Sequence, residues 1–107
     1  MFKSLFLGNK TSSIKAFAAQ LADKLAKRYP PALDCEPGRR PSVNRLTRIV
    51  EETCQQAVEF KTEQKLGWIG KARLGNEFRW ALAERGYSKE FTDFATEAVV
   101  VYLTRSN

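Results

Sequence analysis

Residues 14–31 read IKAFAAQLADKLAKRYPP, and this stretch decides the fold. Its apolar side chains recur at intervals of three and four, which places them on one face of a helix. They are Ile14, Phe17, Ala18, Leu21, Leu25 and Tyr29. The cluster Thr11-Ser12-Ser13 supplies N-cap oxygens before this face, and Pro30-Pro31 ends it. The pattern predicts an amphipathic helix that begins after Ser13 and ends at Tyr29.

Three further stretches have the same helical period. The second predicted helix begins near Ser42, and its buried stripe is Val43, Leu46, Val50, Cys54 and Ala57, flanked by Ile49, Thr53 and Val58. Gly67 is expected to end it in the left-handed conformation. The third helix covers about residues 70–85 and buries Leu74, Phe78, Ala81 and Leu82. Gly86 ends it and Ser88 caps the fourth helix, which buries Phe91, Phe94, Ala95, Ala98 and Tyr102.

These four helices predict an all-α fold, a four-helix bundle-like single domain over residues 1–107. A Pro- and Arg-rich loop at 30–41 joins the first two helices, and connections of this length are often functional. The core is expected to bring eight nearly fully buried residues into contact: Phe17, Leu21, Leu46, Val50, Phe78, Leu82, Phe94 and Ala98.

One stretch leaves the fold class open. Residues 98–104 are apolar and β-branched, and could form a strand. The only plausible partner is residues 2–7, which would give an α+β fold with a minor two-stranded sheet. A helix is favoured, because residues 91–98 already keep helical phase and an isolated two-stranded sheet is marginal in water.

The charge of the chain is concentrated in its first half. Residues 1–50 hold ten Lys or Arg against three Asp or Glu, for a net charge of +7. Residues 51–107 hold eight against nine, for a net charge of −1. A basic patch of this kind predicts an acidic or polyanionic partner.

The densest cations lie where the loop enters the second predicted helix. They are Arg39, Arg40, Arg45 and Arg48, with Ser42 at the helix N-terminus. Free amides and the positive end of the helix dipole favour an anion there, and the arginine fork binds carboxylates and phosphates. These five residues form the predicted anion- or partner-binding site. The competing interpretation is a solvated surface on which Arg48 pairs with Glu51 or Glu52.

The sequence gives little indication of a catalytic site or a metal-binding site. The chain has no histidine, which removes the usual general base near neutral pH and the commonest metal ligand. Glu52, Glu59 and Glu63 share a helical ridge with Gln56, but the ridge lies opposite the apolar stripe and predicts a solvated face. We therefore expect no catalytic residue, no metal site and no cofactor, and we do not expect an enzyme.

The two tryptophans raise separate questions. Gly67-Trp68-Ile69-Gly70 has the Gly-x-x-Gly spacing of the backbone clamp in KH domains, yet its central residues predict a buried apolar pair before a new helix. Trp80 is displaced from Phe78 by about 200° around the helix, so it points away from the core face. Burial of Trp80 under residues 2–7 is favoured, and an interface is the alternative, with a homodimer among its forms.

Two cysteines are too few for a disulfide framework, and the longest apolar run, residues 98–103, is far shorter than the roughly 20 residues of a membrane span. These features predict a cytoplasmic protein without a membrane partner. The expected function is a small non-catalytic binding or adaptor domain whose basic patch engages an acidic protein surface. The alternative is sequence-independent binding of nucleic acid through its phosphate backbone, which steep salt dependence would reveal.

Overall fold

The computed structural model describes residues 2–105, with side chains from residue 12 onward except that of Pro37. This part of the chain holds five α-helices: α1 (Phe2–Arg28), α2 (Pro31–Asp34), α3 (Val43–Gln64), α4 (Trp68–Glu84) and α5 (Lys89–Arg105). One 3-10 turn covers Pro37–Arg39. The prediction of an all-α fold is confirmed. The α+β alternative is wrong, because residues 2–7 lie in α1, residues 98–104 lie in α5, and residues 2–105 contain no strand.

The four long helices form a bundle with α1 and α5 at opposite corners. α1 packs against α3 and α4, and α5 packs against the same two helices. Arg28 pairs with Glu52, and the rings of Phe17 and Phe60 stack 4.0 Å apart between their centroids, so α1 and α3 are antiparallel. The short connection at residues 85–88 makes α4 and α5 antiparallel as well.

The direction of α4 completes the topology. Asp23 pairs with Arg85, and Lys15 lines the same groove as Trp80, so α1 and α4 are parallel. Gly75 lies against Val100 so closely that a Cβ on Gly75 would stand 2.7 Å from a Val100 methyl carbon. Successive long helices therefore alternate in direction, and α5 packs against α4 at Gly75 through the side chain of Val100.

α1 is longer than the sequence predicts. It begins at Phe2, so the prediction that Thr11, Ser12 and Ser13 cap its N-terminus is wrong. Ser and Thr cost only a few tenths of a kcal/mol inside a helix, so this polar cluster does not interrupt one. The predicted apolar face is confirmed: Phe17 is partly buried, and the buried members are Ile14, Ala18, Leu21, Leu25 and Tyr29. The helix ends at Arg28, as the two prolines predict.

The junction of α3 and α4 differs from prediction in its detail. α3 begins after Ser42 as expected, but Lys65 rather than Gly67 takes the left-handed conformation that ends it, at φ 53°. Gly67 is extended and becomes the N-cap of α4, which therefore begins at Trp68, two residues early.

Val43 is exposed because it occupies the first position of α3. Ile49 and Thr53 instead lie on the buried face with Val50 and Cys54.

The predicted core is correct in α4 and out of phase in α5. Leu21, Val50, Phe78 and Leu82 are buried as predicted, while Phe17, Leu46 and Ala98 are only partly buried. Phe94 is 47% exposed, so its place in the core is wrong. It lies one residue, or about 100°, from buried Ala95. The buried face of α5 is Phe91, Thr92, Ala95, Thr96, Val99 and Leu103.

The link between α4 and α5 is as predicted. Gly86 has a φ of +96°, a conformation that L side chains rarely adopt. The Ser88 hydroxyl accepts a hydrogen bond from the Phe91 amide at 3.1 Å, and Glu90 lies in the first turn of α5. The connection is therefore a capped helical hairpin.

Candidate functional site

The loop at 30–41 is held against the bundle by a buried carboxylate. Asp34, at the end of α2, is only 2% exposed. Its Oδ1 accepts a hydrogen bond from the Tyr29 hydroxyl at 2.7 Å, and its Oδ2 accepts one from the Ser88 amide at 2.6 Å. The Tyr87 hydroxyl also donates to the Tyr29 carbonyl. The loop is thereby tied to the end of α1 and to the link between α4 and α5.

These contacts shift the ionisation of the groups involved. Burial raises the pKa of Asp34, but the hydrogen bonds from Tyr29 and Ser88, together with the positive charge of Arg40, outweigh it and hold that pKa below its ordinary value of 3.8. Burial, aided by the Asp34 carboxylate, raises the pKa of Tyr29. Burial likewise raises the pKa of Tyr87. At neutral pH the cluster thus holds an ionised Asp34 carboxylate that accepts from the neutral Tyr29 hydroxyl, while the neutral Tyr87 hydroxyl donates to the Tyr29 carbonyl.

Two of the predicted arginines are engaged by the loop itself. Arg40 Nε and Nη2 both donate to the Asp34 carbonyl oxygen, at 3.1 and 2.9 Å, and Nη2 lies 3.5 Å from Asp34 Oδ1. Arg39 Nη1 lies 3.5 Å from Glu36 Oε2, with both side chains exposed. Arg40 therefore holds the loop in place, while Arg39 stays on the surface beside an acid.

The other predicted residues lie at the N-cap and on the first two turns of α3. The Ser42 hydroxyl accepts a hydrogen bond from the Arg45 amide at 3.2 Å, so it caps the helix that the sequence assigns to it. Arg45 and Arg48 are exposed, and neither forms an ion pair with any acid among the described side chains. Glu52, one of the proposed partners of Arg48, pairs with Arg28 instead.

The structure thus divides the predicted site into two parts. Arg40 and Ser42 have structural partners within the loop and the helix cap. Arg39, Arg45 and Arg48 remain on the surface, and we call these three residues the arginine surface. Its scaffold is the loop that Asp34 holds in place.

Trp80 is 61% exposed, so the prediction that it is buried is wrong. The suggested cover, residues 2–7, has side chains that lie outside the described residues. Trp80 borders a groove of about 220 Å³ between α1 and α4, together with Lys15, Glu77 and Arg85. An interface at Trp80 stays a prediction.

The tryptophan at the start of α4 is exposed as well. Trp68 is 78% and Ile69 62% exposed, so the predicted buried pair is wrong. The preceding Leu66 is buried in their place. Trp68 borders a groove of about 410 Å³ between the start of α4 and the end of α5, which we call the α4–α5 groove. Its lining is Trp68, Lys71, Ala72, Val100, Leu103 and Thr104.

Comparison with protein-family models, with curated proteins and with solved structures found no match.

The carboxylate ridge of α3 faces a third groove, of about 430 Å³, between α1 and α3. Glu59 and Glu63 are exposed and line it beside Lys24, so it carries both signs of charge. Gln56 Oε1 is buried there without a hydrogen-bond partner among the described residues. No three His, Cys, Asp or Glu side chains in the described part of the chain are grouped so that they could hold a metal ion.

The two cysteines differ in environment. Cys54 is fully buried in α3, and burial, with a smaller effect of Glu51, raises the pKa of its thiol to about 12. Cys35 is exposed, with its sulfur 3.8 Å from the Gly86 carbonyl oxygen. Within residues 2–105, no helix has the length and apolarity needed to cross a bilayer.

Sequence reasoning missed Asp34 and the α4–α5 groove. Asp34 bonds to a residue 54 positions away, and no local pattern encodes that contact. The groove did leave a signal, because residues 64–76 contain three cations, two exposed large apolar residues and no acid.

Proposed function

We propose that this chain is a small non-catalytic binding domain that engages an acidic surface of a partner protein through the arginine surface. The observation that carries the proposal is that Arg45 and Arg48 are exposed on the first two turns of α3 and form no ion pair among the described side chains. Two such guanidinium groups, three residues apart on one helix, suit carboxylates of a partner.

The rigidity of the scaffold supports the same function. The buried Asp34 carboxylate and the Arg40 fork fix the loop that precedes α3. A surface that is ordered before binding loses less conformational entropy when its partner arrives. Arg40 acts here as a positioning residue, and Arg39 contributes a charge at the edge.

The distribution of acids favours a protein over a nucleic acid. Glu36 lies beside Arg39, and exposed Glu51 follows Arg48 by one helical turn. A duplex presents about one phosphate charge per 1.7 Å of its axis and is repelled by interspersed carboxylates. A protein surface with separated acidic residues tolerates them.

The test compares two charge reversals of equal size. R45E/R48E alters the arginine surface, whereas K15E/K24E reverses two exposed lysines of α1 and serves as the control. An aspartate- and glutamate-rich peptide and a mixed-sequence DNA duplex are the probes. We expect R45E/R48E to weaken peptide binding about tenfold, and K15E/K24E to change it no more than about twofold. Both variants should keep their unfolding midpoint, since exposed charges contribute about 0–1 kcal/mol.

Equal weakening by the two variants would mean that only net charge matters, and would refute the proposal. Two results together would establish the nucleic-acid alternative instead. The duplex would bind more tightly than the peptide, and the logarithm of its binding constant would fall with the logarithm of the salt concentration, with a slope of about −0.9 per neutralised phosphate.

A further inference from the structure

The α4–α5 groove lies at the other end of the bundle from the arginine surface. α3 connects the two ends, and its 22 residues span about 33 Å. Two large apolar residues of the groove lining, Trp68 and Val100, are exposed, and each is followed in sequence by a further exposed apolar residue, Ile69 or Val101. Clusters of exposed apolar residues with an aromatic member are typical of protein interaction sites. The groove volume of about 410 Å³ is enough for the side chains of a docked segment.

The charges around the groove indicate what would occupy it. Residues 64–76 contain Lys65, Lys71 and Arg73 and no acid, and Lys71 lines the groove itself. Arg105 follows Thr104 at the far edge. Along α5 the first acid before the groove is exposed Glu97, about one turn from Val101. Lys71 is the charged residue of the groove lining, and Lys65, Arg73 and Arg105 lie near that lining in sequence, so the charge at this rim is positive.

A second copy of the chain would bring two cationic rims together, and like charges across an interface are unfavourable. An acidic occupant would neutralise the rim. We propose that the α4–α5 groove docks an acidic amphipathic segment of a partner protein. Its apolar residues lie against Trp68 and Val100, and its carboxylates face Lys71 and the neighbouring cations. This site is independent of the arginine surface.

The two tryptophans of the chain allow a site-specific test. In W80F, Trp68 is the only tryptophan, and in W68F the only one is Trp80. The probe is a helical peptide of about 18 residues with Leu at i, i+3, i+4 and i+7 and Glu at its polar positions. A twin peptide with Lys in place of Glu is the control. We expect the acidic peptide to shift the emission of W80F to the blue and protect it from acrylamide, without affecting W68F.

Affinity for the groove is measured by titrating the Trp68 emission of W80F, because the anisotropy of a labelled acidic peptide would also report binding at the arginine surface. In the W80F background, K71E should weaken this binding about tenfold, while R45E/R48E should change it no more than about twofold. Retained affinity in R45E/R48E separates this site from the arginine surface. Four outcomes would overturn the proposal: equal binding of the lysine twin, no response of Trp68 at about 1 mM acidic peptide, concentration-dependent dimers that protect Trp68, or protection of Trp68 by phosphatidylserine vesicles but not by the peptide.

Discussion

At the scale of single residues, Asp34 joins three parts of the fold. Its carboxylate accepts hydrogen bonds from the Tyr29 hydroxyl, just after α1, and from the Ser88 amide, just before α5, and it lies beside Arg40. The rings of Tyr29, Tyr87 and Phe91 pack around this point, with Tyr29 and Phe91 4.8 Å apart between centroids. One side chain therefore positions the loop that carries the arginine surface.

Replacing Asp34 by asparagine should destabilise the protein by about 2–4 kcal/mol. The amide nitrogen of asparagine would face either the Tyr29 hydroxyl or the Ser88 amide, both of which donate to the carboxylate. The measurement is the free energy of unfolding in urea. E36Q, two residues away on an exposed side chain, is the control and should change it by less than about 0.5 kcal/mol. Equal stability of D34N and the parent would contradict the role assigned to Asp34.

The same carboxylate makes stability depend on pH in the acid range. The folded pKa of Asp34 lies below its ordinary value of 3.8, so the unfolded chain takes up the proton first as pH falls. The stabilisation is complete above about pH 5 and is lost as pH falls through 3.8 towards the folded pKa. Unfolding curves between about pH 2 and pH 6 should show a shallower acid decline in D34N than in the parent. Asp93, whose pKa the Lys89 hydrogen bond lowers, titrates in both and leaves a residual slope.

At the scale of helices, periodicity identifies each element but not always its phase. The buried faces of α1 and α4 were predictable because their apolar residues recur at helical spacing, six of them from Ile14 to Tyr29 in α1 and four around Phe78 in α4. In α5, apolar residues surround the helix, so phase depends on which neighbours it meets. Thr92 and Thr96 are buried there although they are polar, and Phe94 is exposed although it is apolar. Packing against α3 and α4 decides which face of α5 is buried, and the sequence of α5 alone carries no information about that packing.

Two phenylalanines give a matched test of this packing. F78A should cost about 3–5 kcal/mol, because Phe78 is fully buried and its removal leaves a cavity. F94A should cost less than about 1 kcal/mol, because Phe94 already faces solvent. The free energies of unfolding of both variants, measured at one temperature, decide the point. A larger loss for F94A than for F78A would mean that the phase of α5 is misassigned.

At the scale of the whole molecule, the bundle separates two surfaces of different character. The arginine surface lies at the start of α3, and the α4–α5 groove lies beyond its end. The sequence predicted the all-α class, the helix order and the cationic loop. It did not predict the groove, since Trp68, Ala72 and Val100 come from two helices whose relative placement depends on the close approach at Gly75. The exposure of Trp68 and Ile69 depends on how the helices pack together, so the local sequence does not predict it.

Because the arginine surface and the α4–α5 groove lie at opposite ends of α3, whose 22 residues span about 33 Å, their substitutions should act independently. R45E/R48E and W68A should change the free energy of unfolding by amounts that add within about 0.5 kcal/mol in the combined variant. Denaturant titration of the two variants, their combination and the parent measures the coupling. A coupling above about 1 kcal/mol would show that α3 transmits strain between its ends.

The different exposure of the two thiols allows the opening of the bundle to be measured. Cys35 is exposed, whereas Cys54 is buried on the core face of α3 with a thiol pKa of about 12. A thiol-directed reagent therefore modifies Cys35 in the folded state and reaches Cys54 only when α3 leaves the core. The rate at which Cys54 is modified, measured by mass spectrometry on the parent chain, therefore reports how often the bundle opens. The modification of Cys35 places a reporter five residues from Arg40, on the loop that supports the arginine surface.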